Sequence, residues 1–428
     1  LSIRRQRQMC IRDRIGAGIS GLSAAHFLKD KYEVTLFGKE NKPGGLIKCE
    51  RINGSLFHTC GGHVFNSKRT DVLDWFWSVF SSDTEFDKAD RNSVVIVDSF
   101  GYNNLAVPYP IENHMYMFNK EIQFKFIEDL IKMAQNKETE PNNFSEFLKL
   151  KFGETLYNLY FKPYNEKVWR RPLETVSLSW LEGKLPMPSV QEMMFNNMNH
   201  VEEKAFVHST FWYERSNGSQ FIADKLADGL DIRYNSSIDD ISYIKNNWII
   251  CGEKFDKVIY CGNVKDMVNI VRGVDLDKFK PEIDKLEYHG TTAVFCEIDK
   301  NPYSWVYQPS AKHESHRIIC TGNFADSNNG DTIHKNRITA TIEFTDFIDK
   351  EHILANLQNM PFNPSYIAHK YNQYTYPIQH ADTRNIIKNL KSALEPSDFY
   401  FTGRFADWEY YNMDVAIGAA KDLCKRLV

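Results

Sequence analysis

The stretch from Ile15 to Phe65 constrains this chain more than any other. It reads IGAGISGLSAAHFL, then YEVTLF, then KPGGLIKCERINGSLFHTCGGHVF. Gly16, Gly18 and Gly21 form GxGxxG ahead of an amphipathic helix carrying Leu22, Ala25 and Leu28, and the short apolar strand Val34 to Phe37 follows. A dinucleotide-binding fold needs this order. The first glycine makes a tight turn, the second admits backbone to a pyrophosphate, and the third packs helix on strand. The helix then turns its positive N-terminus to the phosphates. Alone, the hexapeptide equally describes a bare glycine turn. Two more pairs follow, Gly44 with Gly45 and Gly61 with Gly62, the latter just before His63. Glycine costs stability wherever it has no steric task, so three sets in one stretch point to backbone repeatedly approaching one large ligand. FAD is of that size.

The remaining composition narrows the function class. A chain of 428 residues holds two or three domains. Its formal net charge of −4 argues against a nucleic-acid binder, which needs a basic face. Aromatics at 14% suit a protein that stacks on flat rings. No apolar run reaches the roughly 18 residues of a membrane span, and no secretory signal is present. The eight cysteines are scattered singly without CxxC, which fits a reducing cytoplasm. The thirteen histidines show no HExxH spacing, so no metal is expected.

In chain order, residues 1–14 read LSIRRQRQMCIRDR where a buried apolar first strand is expected. One reading is a basic N-terminal arm; the preferred one is foreign sequence fused in frame, similar to translated sequencing adapter, in place of the native first strand, and the segment is set aside. After the second strand, where an acidic residue normally meets the adenosine ribose, the chain has Gly38, with Glu40 two residues later. VLDWFWSVF has helical spacing, and SVVIVDS and NLAVPYP read as strands. Residues 120–200 are helix-rich, whereas PYNEKVWRRP, Pro163 to Pro172, reads as a loop. GSQFIADKLADGL is a helix started by glycine. Short strands with turns at Asn246 and Gly252 follow, then a strand-rich stretch from Tyr288 to Phe344. The end, DFYFTGRFADWEYYNMDVAIGAAKDLCKRL, reads as strand, loop, and a helix starting near Asn412.

Together GAGISGLSAA, PGGL, GGHVF, PYNEKVW with SWLEGKLP, HRI and GRFADWEYYNMD resemble the FAD-dependent amine oxidase superfamily. The likeness is greatest to UDP-galactopyranose mutases of the eukaryotic type, and extends to protoporphyrinogen oxidase-like proteins. It implies an α/β fold in which a Rossmann-like FAD-binding domain is interleaved with a helical domain and an antiparallel β-sheet domain. Residues 15–75, 215–285 and 388–428 would form the first, 116–200 the second, and 90–115 with 286–387 the third. The implied reaction contracts a UDP-linked pyranose to a furanose without net redox, for surface polysaccharide synthesis. Reduced FAD serves as nucleophile, splitting one displacement into two steps. Partners would be a nucleotide sugar, UDP-linked, and an external reductant such as NAD(P)H or a reductase.

Carried over by residue, the resemblance gives FAD Gly16, Gly18, Ser20, Gly21, Glu40, Gly44, Gly45, Gly61, Gly62, His63, Ile238, Gly403, Asn412, Met413 and Asp414. It gives the substrate Tyr109, Asn165, Trp169, Lys184, Tyr376, Arg404 and Tyr410. His63, Arg404 and Tyr376 would be catalytic, with Arg404's fork suited to a diphosphate. Each also has a bland reading, Trp169 as core and Arg404 as an ion-pair partner. Lys184 stands where the family has an arginine, a second diphosphate arginine falls at Asp299 or is absent, and the uridine-side aromatic and glutamine become Ile111 and Glu112. Two other classes stay open. One is an amine- or porphyrinogen-type oxidase, with an apolar pocket; the other is a flavin-binding scaffold without catalysis.

Overall fold

The computed structural model describes residues 14–135, 140–181, 187–201, 209–330 and 336–428. Its first unit is a five-stranded parallel sheet in the spatial order Phe399–Phe401, Val258–Tyr260, Arg14–Ile15, Thr35–Phe37, Asp231–Arg233. Thr35–Phe37 and Val258–Tyr260 are buried at every position, as expected where helices cover both faces of a parallel sheet. Arg14 and Ile15 take the central place by backbone pairing; the rest of the segment set aside above lies outside the described residues. Helix Ile19–Leu28 buries Leu22, Ala24, Ala25 and Leu28 completely, and the C-terminal helix Met413–Leu427 packs against it. The expected hairpins are present in a four-stranded sheet beside this unit. Lys245 and Asn246 have φ of 50° and 62°, and Cys251 and Gly252 have 50° and 79°, the paired positive values of a type I′ turn.

The second unit is a seven-stranded sheet in the order Ser365–Pro377, Tyr288–Asp299, Arg337–Thr345, Arg317–Ile319, Trp305–Tyr307, Ser93–Val97, Leu105–Pro108. It is antiparallel except where Trp305–Tyr307 runs parallel to Ser93–Val97, the join between the two chain segments that build it. Along Tyr288–Asp299 the side chains alternate. Val294, Cys296 and Ile298 enter one core with Ile342 and Ile353, while Ala293 and Phe295 meet Phe57 on the other face.

The third unit is helical: Lys120–Gln135, Phe144–Leu156, a π-turn Tyr157–Phe161, Lys162–Trp169 and Val190–Asn199. Its core is aromatic, with Phe126, Phe144, Phe152, Tyr157, Tyr160 and Phe161 buried. The peptide read as a loop, PYNEKVW, is helix through Trp169. Pro163 sits in that helix's first turn, where a missing N–H costs no hydrogen bond, and Arg170 ends it in the left-handed region.

Candidate functional site

A cavity of about 400 Å³ opens between the parallel sheet and the seven-stranded sheet, within the size range of small-molecule sites. Its floor is the run Gly16 to Gly21, with Gly38, Lys39 and Glu40, then Gly44 to Lys48. Two helix starts border it, at Ser20 and at Asn412 with Met413, and the N–H groups of a helix's first turn have no partner within the helix itself. His63, Lys370, Asn372, Tyr374 and Arg404 close the far side.

The glycines have distinct tasks. A Cβ on Gly21 would stand 1.9 Å from the Gly16 carbonyl oxygen, so only glycine closes that turn. Gly45 faces Gly18, where a Cβ would come within 3.1 Å of its Cα, and Gly44 N–H donates to Ala17 O at 2.8 Å. The first two glycine sets therefore touch each other and form one cradle. Gly62 differs: a Cβ there would meet Ile319 Cγ2 at 2.5 Å, so its smallness serves packing against the sheet rather than ligand approach.

Of the residues assigned to the cofactor, Gly16, Gly18, Ser20, Gly21, Glu40, Gly44, Gly45, His63, Asn412 and Met413 line this cavity. Gly61, Gly62, Ile238, Gly403 and Asp414 lie outside its lining. Gly403 backs the cradle, 3.2 Å from Ser20 Oγ at its notional Cβ, and Ile238 packs on the hydrophobic core beneath the parallel sheet. Glu40 pairs with Lys48. Burial lowers the Lys48 ammonium to about 8. His63 is held neutral, its pKa lowered to about 4 first by burial and then by the Arg404 charge. Its Nε2 is buried without a hydrogen-bond partner, a polar atom left for something in the cavity.

At that end the assigned substrate residues Arg404, Tyr376 and Tyr410 come together. Tyr376 stacks on Tyr410 with centroids 5.4 Å apart, and the Arg404 guanidinium lies 5.0 Å from the Tyr410 ring centre. Arg404 donates to the carbonyls of Tyr411, at 3.0 Å, and Thr375, at 3.1 Å. It has no carboxylate partner among the described residues. Tyr376 is kept protonated, its pKa raised by burial and by Glu343.

The remaining described substrate assignments, Tyr109, Asn165 and Trp169, are not among the residues that line this cavity. Tyr109 packs on Tyr307, 4.9 Å between centroids, and Tyr307 meets Tyr164 edge-on. Asn165 Nδ2 donates to Phe161 O at 2.7 Å. Trp169 packs with Phe144 and Trp180, and its Nε1 has no partner. Lys184 lies outside the described residues. Ile111 and Glu112 are buried. Asp299 forms an ion pair with Arg337 at 2.7 Å, at the opposite end of its strand from the His289 pairing with Tyr376, so it faces no part of this site.

Sequence reading passed over three groups. Arg317 donates through Nε to Glu343 Oε2 at 2.7 Å and through Nη2 to the Tyr376 hydroxyl at 3.2 Å. Burial, the largest single influence, pushes the Glu343 carboxyl up, but the Arg317 charge, together with the His316 charge and the hydrogen bonds of His316 and Arg317, holds it down to about 2; His316 lies 3.6 Å from the same carboxylate. Beneath the GGHVF turn, His58 Nδ1 accepts the His63 N–H at 3.3 Å and its Nε2 meets Tyr213 OH at 2.7 Å. The peptide HRI carried a signal for Arg317; Glu343 and His58 sit in strands whose pattern marks burial alone.

The chain matches the family model for an NAD(P)-binding Rossmann-like domain over residues 15–79. It is 25% identical to the UDP-galactopyranose mutase of Mycoplasma pneumoniae over 59% of this chain, a span of 62% of that protein. With the dTDP-fucopyranose mutase of Escherichia coli it shares 23% identity over 95% of each. A crystal structure of reduced UDP-galactopyranose mutase superposes with a TM-score of 0.84 at 21% identity, covering 98% of this chain and 95% of that one. The mutase resemblance is borne out, and the α/β fold with it. The two named relatives are bacterial, so the finer likeness to the eukaryotic type rests on the peptides alone.

Proposed function

We propose that this chain is an FAD-dependent enzyme that isomerises a nucleotide sugar, UDP-linked, between ring forms, with a role in surface polysaccharide synthesis. One observation carries the reading. The cavity that suits a dinucleotide ends on Arg404, whose charge meets carbonyl oxygens and no carboxylate among the described residues. An oxidase of amines or porphyrinogens has no need of such a cation, whereas a diphosphate leaving group does.

The residues present fit FAD. The glycine cradle leaves backbone exposed along the cavity floor, two helix starts border the cavity, and His63 Nε2 is an orphan donor or acceptor at its end. Gly16 to Gly21 and Gly44 with Gly45 would hold the diphosphate of the cofactor, and Asn412 with Met413 its ring end. When bound and reduced, FAD would supply the nucleophile for the anomeric carbon.

The chain's own groups then divide the remaining work. Arg404 and Tyr410 hold the sugar's diphosphate beside the cofactor, which fixes the leaving group in place. Tyr376 accepts from Arg317, so its own hydroxyl proton is left to donate to a phosphate oxygen. Neutral His63 offers one nitrogen without adding charge. Glu343 offsets the Arg317 charge, so the site is not overly cationic when empty.

The test is turnover under controlled redox state. Purified protein is expected to be yellow with FAD. When chemically reduced without oxygen it should convert a UDP-hexose to its isomer over many turnovers from one reduction; oxidised protein should not. Hydrogen peroxide formed in step with an amine or porphyrinogen would replace this reading with an oxidase. Colourless protein that fails to take up added FAD would end both.

A further inference from the structure

The cavity between the two sheets is lined by the cations Lys39, Lys42, Lys48, Lys370 and Arg404, and among the described lining residues only Glu40 carries a carboxylate. Two of the ammonium groups have partners outside the lining acids. Lys370 pairs with Glu50 at 3.1 Å, and Lys42 donates to Cys49 O at 3.0 Å. Lys48 is different. Its side chain is 4% exposed, and it pairs with Glu40, whose side chain is 60% exposed. The Lys48 stem lies against the glycine cradle, since a Cβ on Gly44 would come within 2.8 Å of Lys48 Cγ.

The two halves of this pair part on unequal terms. An exposed carboxylate exchanges partners at little cost, whereas a buried ammonium stripped of its counter-charge is strongly destabilising. Lys48 therefore stays in place and needs an anion, and that anion need not be Glu40. The end of strand Thr35–Phe37 gives Glu40 another task. A dinucleotide fold commonly meets the adenosine ribose there with an acidic side chain. This chain has Gly38, where a Cβ would press on Ala17 Cβ at 3.2 Å and stand 3.5 Å from Tyr234 Cδ1, so an acidic side chain at 38 would have to displace its neighbours. Glu40 is the lining carboxylate left for a ribose diol.

We infer that Lys48 binds the diphosphate of the dinucleotide, and that Glu40 is its placeholder, released to the adenosine ribose hydroxyls when the dinucleotide binds. The inference rests on the reading of this cavity as an FAD site. An ammonium beside the backbone of Gly16 to Gly21 and Gly44 to Gly45 adds a point charge to donors that are themselves neutral. The exchange leaves no group unmatched: Lys48 passes from a carboxylate to a phosphate oxygen, and Glu40 from an ammonium to hydroxyl donors.

FAD titrated into the flavin-depleted full chain, followed by quenching of its fluorescence, tests this. Lys48→Met keeps the stem and removes the charge; it should weaken FAD binding by about tenfold or more and leave the affinity of the FAD-saturated protein for a UDP-hexose unchanged. That second arm separates the cofactor's diphosphate from the sugar's. Wild type should bind FAD more tightly than its 2′-deoxyadenosine analogue, and Glu40→Gln should bind the two alike. Thermal unfolding checks that both variants fold and also reads the exchange. The Tm shifts of Glu40→Gln and Lys48→Met should be non-additive without FAD and additive at saturating FAD. Unchanged FAD affinity in Lys48→Met, a loss of UDP-hexose affinity in its place, a preference for the 2′-hydroxyl that survives Glu40→Gln, or coupling that persists with FAD bound would each overturn the proposal. Wild type that takes up no FAD would instead remove the FAD reading itself, and the proposal with it.

Discussion

Arg404 and Arg317 lie close together yet solve different problems. Arg317 is partly buried against the fully buried Glu343, and its charge is offset within the fold. Arg404 spends its donors on the carbonyls of Thr375 and Tyr411 at the cavity end and has no carboxylate partner among the described residues. Their substitutions should therefore fail differently. Arg404→Ala should weaken nucleotide-sugar binding by about 2–5 kcal/mol, as when one partner of a buried charged hydrogen bond is lost, with thermal stability of the ligand-free protein little altered. Arg317→Ala leaves a buried carboxylate without its cation and should cost about 3–5 kcal/mol of folding stability. Calorimetric titration with a UDP-hexose and urea unfolding of both variants separate the two. Equal affinity in Arg404→Ala would remove the diphosphate from this position. HRI and GRFADWEYYNMD placed both arginines in notable peptides, but only the fold shows which of them is neutralised.

Elements were legible where their period was. Thr70–Val79 and Ser219–Ala227 follow the sequence reading because one face of each is apolar, and Tyr288–Asp299 because a strand buried on both faces reads as a nearly continuous apolar run. Helix Lys162–Trp169 was not, since none of its residues is fully buried and so no apolar period exists to read. Its side chains instead meet neighbouring elements one by one, Trp169 packing on Phe144 and Trp180 and Lys167 donating to the carbonyls of Gln308 and Ser315, and a π-turn, Tyr157–Phe161, precedes it. A second irregularity was also silent in the sequence. Helix Phe144–Leu156 breaks at Gly153, whose φ is 82°, and Asp129 Oδ2 accepts the Thr155 N–H at 2.7 Å to restart it. A Cβ at Gly153 would stand 2.6 Å from Asp129 Cβ. Gly153→Ala should thus cost about 1–3 kcal/mol through backbone strain and crowding, read as a lower urea midpoint with unchanged slope. Wild-type stability in that variant would show the kink to be incidental.

At the scale of the whole molecule, the sequence carried the α/β class and the glycine cradle, but not the convergence of distant segments that buries ionisable groups between the units. His58 and Tyr213 are joined from 155 positions apart, and His316 reaches Glu343 across the sheet. Burial lowers His58 and His313 to about 3 and His63 to about 4, and also lowers His316. The sign of the consequence follows. Each imidazole is neutral when folded and titrates near 6.5 when unfolded, so below that pH the unfolded chain binds more protons and stability falls. The contribution is intact above about pH 6.5 and is lost as pH drops toward the folded values, at up to about 1.4 kcal/mol per pH unit for each group. Glu343 adds to the loss only below about pH 4.5, its unfolded value, since its folded carboxyl is held near 2. Between pH 6.5 and 4.5 the histidines therefore dominate. Unfolding free energies from urea titrations at fixed FAD loading should decline across that window. His313→Phe keeps a ring but removes one proton site, and should flatten the slope by about one proton's worth. A profile level from pH 7 to 4.5 would mean that these rings reach water in solution, and that the packing between the units is looser than the structure shows.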